Sequence, residues 1–430
     1  MQADQRPWVR SSLSRYWSQG ADLLAHLPVP IAPPVSAVSL PPRVDTVALP
    51  EWAADLGIDG GLLVPSTAIV AGSGAAWERT DWWDAAAWFL DGRAERAYER
   101  EHGPIHSYSF RLSGWDARIW ERAWVNRIGL FLRRWAARRA SLDEAASFGP
   151  LPDADIVLTH DVDAIRKTLR IRFKQSAFDA FNAVRAMAQG RPLAAMQRVA
   201  HGVRFALSAG DYWTFARMCG MEEARGRRSI FNVYAGDASP RSAPARLLID
   251  PSYDVRAAEV AAMLRGLVAQ GWKVGLHPSF DAWSSAADIG AQKERLERAI
   301  GTPVRVCRQH WLRFSWSATW AAQEAAGLEI DTTLGFNDRP GFRNGCALQF
   351  HPLDDEGRPR RLAVLPLVLM DSQLYDYASP GGAVPQAGIA RWIDEIRAVR
   401  GTATVLWHPH VLSDDYGWAS GYDEVLRAVA

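Results

Sequence analysis

The chain has 430 residues, 48% hydrophobic and 23% charged, an ordinary balance for a globular protein and enough length for two domains or one domain with a large appendage. Lys+Arg 49 against Asp+Glu 48 leaves almost no net charge, so bulk electrostatics argue for no nucleic-acid partner. Cys219, Cys307 and Cys346 lie far apart and form neither a zinc-knuckle spacing nor a disulfide framework, as expected of a reducing compartment.

The first residues, MQADQRPWVRSSLSRYW, lack the apolar stretch of a signal peptide, and no long apolar run follows anywhere, so a cytoplasmic location is expected. Residues 1–50 are rich in Pro and read as extended or irregular chain. Between about 75 and 140 the sequence turns aromatic and helical: Trp120, Trp124, Ile128, Phe131 and Trp135 recur as one stripe of a helix. Its other face carries Arg118, Arg122, Arg127, Arg133, Arg134, Arg138 and Arg139, read either as a solvated face or as contact with an anionic surface. Residues 1–150 are expected to form an aromatic-rich accessory region; most of the 20 Trp are expected in core positions, although such rings also stack on sugars.

From about 151 to 430 short apolar runs alternate with helical patterns. The runs are Ile156–Thr159, Ile230–Tyr234, Val274–His277, Val304–Arg308, Leu328–Thr332, Leu362–Met370 and Thr402–Trp407. Amphipathic stretches such as Val255–Gln270, Asp288–Ile300, Ser317–Ala326 and Ile389–Val399 separate several of them. Parallel strands need such crossovers, and seven strands can nearly close a barrel. The first crossover is abnormally long. It contains an inserted segment, about 164–210, with a helical stripe of Phe173, Ala177, Phe181, Val184 and Ala188, nine Lys/Arg from Ala164 to Ser208 and one acid, Asp179. That composition allows peripheral contact with an anionic membrane surface, or simply a solvated face.

Titratable groups follow five of the seven predicted strands: Thr159-His160-Asp161-Val162-Asp163, Gly275-Leu276-His277-Pro278-Ser279, Cys307-Arg308-Gln309-His310, Asp331, and Trp407-His408-Pro409-His410. Each alone is more often a helix cap or a satisfied loop residue, but the ordered set is how a barrel assembles an active site. Asp163 with His277 supplies the carboxylate and imidazole that a divalent metal needs. Asp161 is placed to take a proton from water, His408 to protonate a leaving group, and Arg308 to keep Asp161 ionised. Strand alternation turns His160 away from Asp161 and Asp163.

These segments, in order, resemble the five motifs of the polysaccharide deacetylase family, carbohydrate esterase family four, over about residues 153–415. The stretches Arg308-Gln309-His310-Trp311-Leu312, Asp331-Thr332-Thr333-Leu334-Gly335-Phe336 and Gly341-Phe342-Arg343 resemble a branch associated with surface-polysaccharide biosynthesis. The resemblance implies an α/β fold, a distorted (β/α)₇ barrel. It also implies Zn²⁺ or another divalent metal, and removal of an acetyl group from a sugar or polysaccharide precursor. Asp161 would be the base, Asp163 and His277 metal ligands, His408 the acid, and Arg308 and Asp331 the groups tuning Asp161 and His408. The family's second metal-binding histidine is replaced here by Asp281, which leaves the third ligand as His310, Asp281 or solvent. His310 is preferred, because period-two alternation aims it to the same side as Arg308. A catalytically silent barrel that binds a glycan or a partner, and an amide or ureide hydrolase, are the alternatives.

Overall fold

In the computed structural model, which describes residues 4–30, 39–237, 249–376 and 386–430, the alternating second part of the chain folds as one curled parallel sheet. A separate antiparallel hairpin, β1 (Val44–Ala48) with β2 (Gly61–Pro65), precedes it. The sheet comprises β3 (Asp155–Val162), β4 (Ile230–Tyr234), β5 (Lys273–His277), β6 (Val306–Cys307), β7 (Ile330–Asp331), β8 (Ala363–Val364), β9 (Leu367–Met370) and β10 (Thr402–Leu406), in the order β8-β7-β6-β5-β4-β3-β10-β9. Strands such as IFNVY and TATVL are buried throughout, as parallel strands covered on both faces must be.

The predicted run Leu362–Met370 becomes two strands because Pro366 has no N–H to donate. Its halves are the two edges of the sheet: β8 pairs with β7 and β9 with β10. Across the break, Leu365 N donates to Asp331 O and Pro366 O accepts from Thr404 N, both at 2.8 Å. One chain segment therefore joins both edges of the curled eight-stranded sheet, the α/β barrel-like architecture expected.

The insertion forms two helices, Leu169–Ala188 and Pro192–Leu207, joined by Gln189-Gly190-Arg191. Small residues at the seam, Ala183, Ala186, Ala194 and Ala195, let the backbones approach closely. Gly202 belongs to that seam, since a Cβ there would sit 3.2 Å from Cβ of Asp179. The stripe Phe173, Ala177, Phe181, Val184 and Ala188 does not pack into this seam. It faces solvent.

The front of the chain shares one continuous core with the barrel. Thirteen Trp are buried and the other seven partly buried. The aromatic stripe starts in a 3₁₀ turn, Ala117–Trp120, and continues in the helix Trp124–Arg139, where Trp124, Ile128, Phe131 and Trp135 are buried. Its arginine face is divided: Arg118, Arg138 and Arg139 are exposed, as a solvated face would be, whereas Arg127 and Arg133 are buried in ion pairs. Arg127 is buried and pairs with Glu395 of the barrel helix Gln386–Ala398 at 2.7 and 2.8 Å, while Glu395 also accepts from Ala123 N. Arg133, also buried, bonds Glu144 and the Tyr16 and Gly149 carbonyls, and Arg134 pairs with Asp55.

Removing one partner of a buried ion pair leaves the other charge uncompensated. Arg127→Ala should destabilise the chain by about 3–5 kcal/mol, and replacing both Arg127 and Glu395 by Met should cost clearly less. Chemical denaturation of the three proteins measures this; equal losses would mean the pair is not the source.

Candidate metal centre and active site

Every titratable group of the set lies at or just beyond the C-terminal end of a strand: Asp161 and Asp163 at β3, His277 at β5, Arg308 and His310 after β6, and His408 after β10. The curl of the sheet aims three of them at one point. Asp163, His277 and His310 offer ligand atoms that all lie within 4.8 Å of one another. His277 Nε2 is 3.3 Å and His310 Nε2 3.6 Å from Asp163 Oδ1, yet that buried oxygen accepts no aligned hydrogen bond among the described residues.

The imidazole partners fix what faces that point. His277 Nδ1 lies 2.7 Å from the Arg308 carbonyl, which can only accept, so Nδ1 carries the proton and Nε2 presents its lone pair. His310 Nδ1 lies 3.1 Å from Asp250 Oδ1, which assigns the same tautomer. Two imidazole nitrogens and a carboxylate oxygen therefore converge on one small space, and a carboxylate with two imidazoles is a ligand set that suits zinc. Burial pushes the His310 imidazole below its ordinary range, which keeps it neutral as a ligand must be. Burial acts on Asp163 the other way, but His310, His277 and His408 outweigh it and hold the carboxyl well below the usual range. For His277 burial is outweighed by Asp161 and Asp163, which draw the imidazole upward and would attract any cation equally. Asp281 is exposed and stands before the turn Ala282–Ser284, outside this set.

Asp161 is buried beside the cluster. Asn232 Nδ2 donates to its Oδ1 at 2.8 Å, and Arg308 Nη1 stands 3.5 Å from the same oxygen. Arg308 is itself fully buried, donating to the Thr332 carbonyl, Thr159 Oγ1 and Thr404 Oγ1. Gly275, on the neighbouring strand, is required here: a Cβ would lie 2.4 Å from Asn232 Oδ1.

His408 Nδ1 bonds both oxygens of Asp371 at 2.9 and 3.0 Å, and its backbone N donates to the same carboxylate. Burial alone would lower the His408 pKa, but Asp371 with Asp163 and Asp161 pushes it up to about 10. Asp331, expected to tune His408, instead accepts from Trp320, Gln323 and Thr333 beneath the site. Asp371, directly after β9, holds the imidazole. Its signal was a carboxylate ending an apolar run, the same pattern that singled out the others. Asn232 is missed by the sequence reading although it is a polar residue within the apolar run IFNVY, whereas Asp250 follows no strand and carries no comparable signal. His160 points away, between Glu222 and the Trp407 carbonyl.

Asp161, Asp163, His277, His310 and His408 line a cavity of about 560 Å³ whose walls include Trp311 and Trp418. Trp311 and Leu312, next to His310, have φ of 58° and 47°, a left-handed backbone that costs side-chain-bearing residues energy. Ser107 Oγ and Asn337 Nδ2 hold the Trp311 carbonyl, so the strained turn is braced partly from the front of the chain.

No protein-family model matches the chain, and no curated protein matches it. Similar solved structures include a candidate polysaccharide deacetylase from Mycobacterium smegmatis, 18% identical over 65% of this chain and 84% of that one, with a TM-score of 0.38. A family-four carbohydrate esterase from Streptomyces lividans in complex with acetate is 10% identical over 64% and 88%, with a TM-score of 0.30. A family-four pseudoenzyme from Bacillus anthracis is 10% identical over 64% and 61%, with a TM-score of 0.28.

Asp250 fixes the His310 tautomer, and partners of that kind typically contribute about 10–100-fold to metal affinity. Asp250→Asn should weaken zinc binding by about that factor, while His310→Ala should weaken it further. Competition titration against a chromogenic chelator reads both; unchanged affinity in His310→Ala would remove His310 from the ligand set.

Proposed function

We propose that the chain is a metal-dependent deacetylase that removes an acetyl group from a sugar or polysaccharide precursor. The observation that carries this reading is the convergence of Asp163, His277 and His310 on one small space, flanked by the Asp161 carboxylate on one side and the Asp371-bound His408 imidazole on the other. The three residues would hold a divalent ion such as Zn²⁺. When bound, the ion supplies Lewis acidity toward the acyl oxygen and toward water.

The protein's own groups provide the rest. Asp161, held by Asn232 and Arg308, takes a proton from the attacking water, whose oxygen bonds to the acyl carbon. The bond from that carbon to the sugar nitrogen or oxygen breaks, and the leaving atom receives a proton from His408 Nε2. Asp371 holds the His408 ring and keeps it protonated at neutral pH. Trp311 and Trp418 give the cavity flat apolar walls of the sort that pack against sugar rings.

Metal analysis of protein purified without chelator, then incubated with zinc, is the first test. Stoichiometric binding and acetate release from acetylated oligosaccharides are expected; no stoichiometric binding would overturn the catalytic reading. Asp161→Asn and His408→Ala should each lower turnover by about 10²–10⁴ with metal retained. Full activity in Asp161→Asn would end its assignment as base. Because the raised His408 pKa keeps the acid protonated up to about pH 10, Asp371→Asn should shift the alkaline limb of the pH–rate profile toward neutrality. An unmoved limb would mean that His408 is not the acid.

A further inference from the structure

Of the twelve large apolar side chains that the described residues leave exposed, ten belong to the inserted helical hairpin. On the first helix Phe173, Phe181 and Val184 are 71%, 65% and 71% exposed, and on the second Met196, Val199 and Val203 are 69%, 53% and 55% exposed. At 100° per residue each set falls within one face of its helix, and both faces turn away from the alanine seam. Apolar surface concentrated in this way marks an interaction site rather than scatter.

The charges beside it are one-sided. Arg185, Arg191 and Arg204 are exposed, flank the apolar faces and have no ion-pair partner among the described residues. The single acid of the hairpin, Asp179, is buried and spent on Arg198 and His201. Apolar faces edged by unpaired arginines, with no exposed carboxylate, complement an anionic bilayer surface. No helix among the described residues is long and apolar enough to cross a membrane, so the hairpin would lie on the surface and not span it. The same helix contributes Ile171, Gln175, Ala177 and Phe178 to the wall of the cavity that holds Asp163 and the histidines.

We infer that the hairpin 169–207 is an interfacial docking element that seats the protein on an anionic membrane, with the metal-site cavity beside it. The inference stands on surface chemistry and is independent of whether the site is catalytic.

Flotation of the full chain with vesicles of phosphatidylglycerol and phosphatidylcholine, against phosphatidylcholine alone, tests it. Binding to the anionic vesicles at low salt, weakened by salt and at least about tenfold weaker to neutral vesicles, is expected. Arg185→Glu/Arg191→Glu/Arg204→Glu should lose at least about tenfold in anionic binding. Phe181→Asp/Val184→Asp/Val203→Asp should abolish it; these positions are exposed, so circular dichroism should remain as in the parent. Absence of flotation at low salt overturns the inference, as do both triple variants floating like the parent. Self-association that vesicles leave unchanged and the apolar triple variant disrupts would assign the face to a second copy and overturn it too.

Discussion

The convergence of one carboxylate and two imidazoles on one small space governs this molecule. Asp163 Oδ1, His277 Nε2 and His310 Nε2 face one another while the Arg308 carbonyl and Asp250 engage the Nδ1 atoms. Such a cluster persists only where the surrounding fold over-determines it. The barrel provides that: each ligand leaves a different strand, and Arg308, threaded through the centre, bonds groups on three segments at once.

The front of the chain belongs to the same device. Glu99 accepts from Ser315, Trp316 and Ser317 just past the His310 turn, and Glu95 pairs with buried Arg343. With Ser107 on the Trp311 carbonyl, these contacts brace the loops that carry the ligands. An accessory region tied through buried ions has little freedom to move independently of the site.

The barrel was legible in the sequence because parallel strands buried on both faces read as continuous apolar runs, and because the residues just after them were polar. β4 was read with both boundaries correct, whereas β6 and β7 shrank to two residues each, since hydrogen bonding and not hydropathy sets strand length. The split at Pro366 depended on which neighbours the segment would meet, which a linear reading cannot supply. Strand alternation and the preference of zinc for a carboxylate with two imidazoles favour His310 over Asp281, and the fold brings His310 to Asp163 while leaving Asp281 exposed. Within the arginine face of helix 124–139 the exposed Arg138 and Arg139 fit a solvated face, whereas the burial of Arg127 is not legible locally, because a buried ion pair and a solvated charge have the same local sequence. Their difference lies in Glu395, some 268 residues away.

Gly275 and Asn232 show how the site constrains change over descent. A methyl at 275 would meet the Asn232 amide, whose other atom holds Asp161. Neither position can drift alone: a larger residue at 275 displaces the amide, and a smaller residue at 232 frees the space but leaves Asp161 with Arg308 as its remaining polar anchor. Among descendants of this chain, the glycine and the asparagine should be kept together or exchanged together, a two-step path whose intermediates are the least fit.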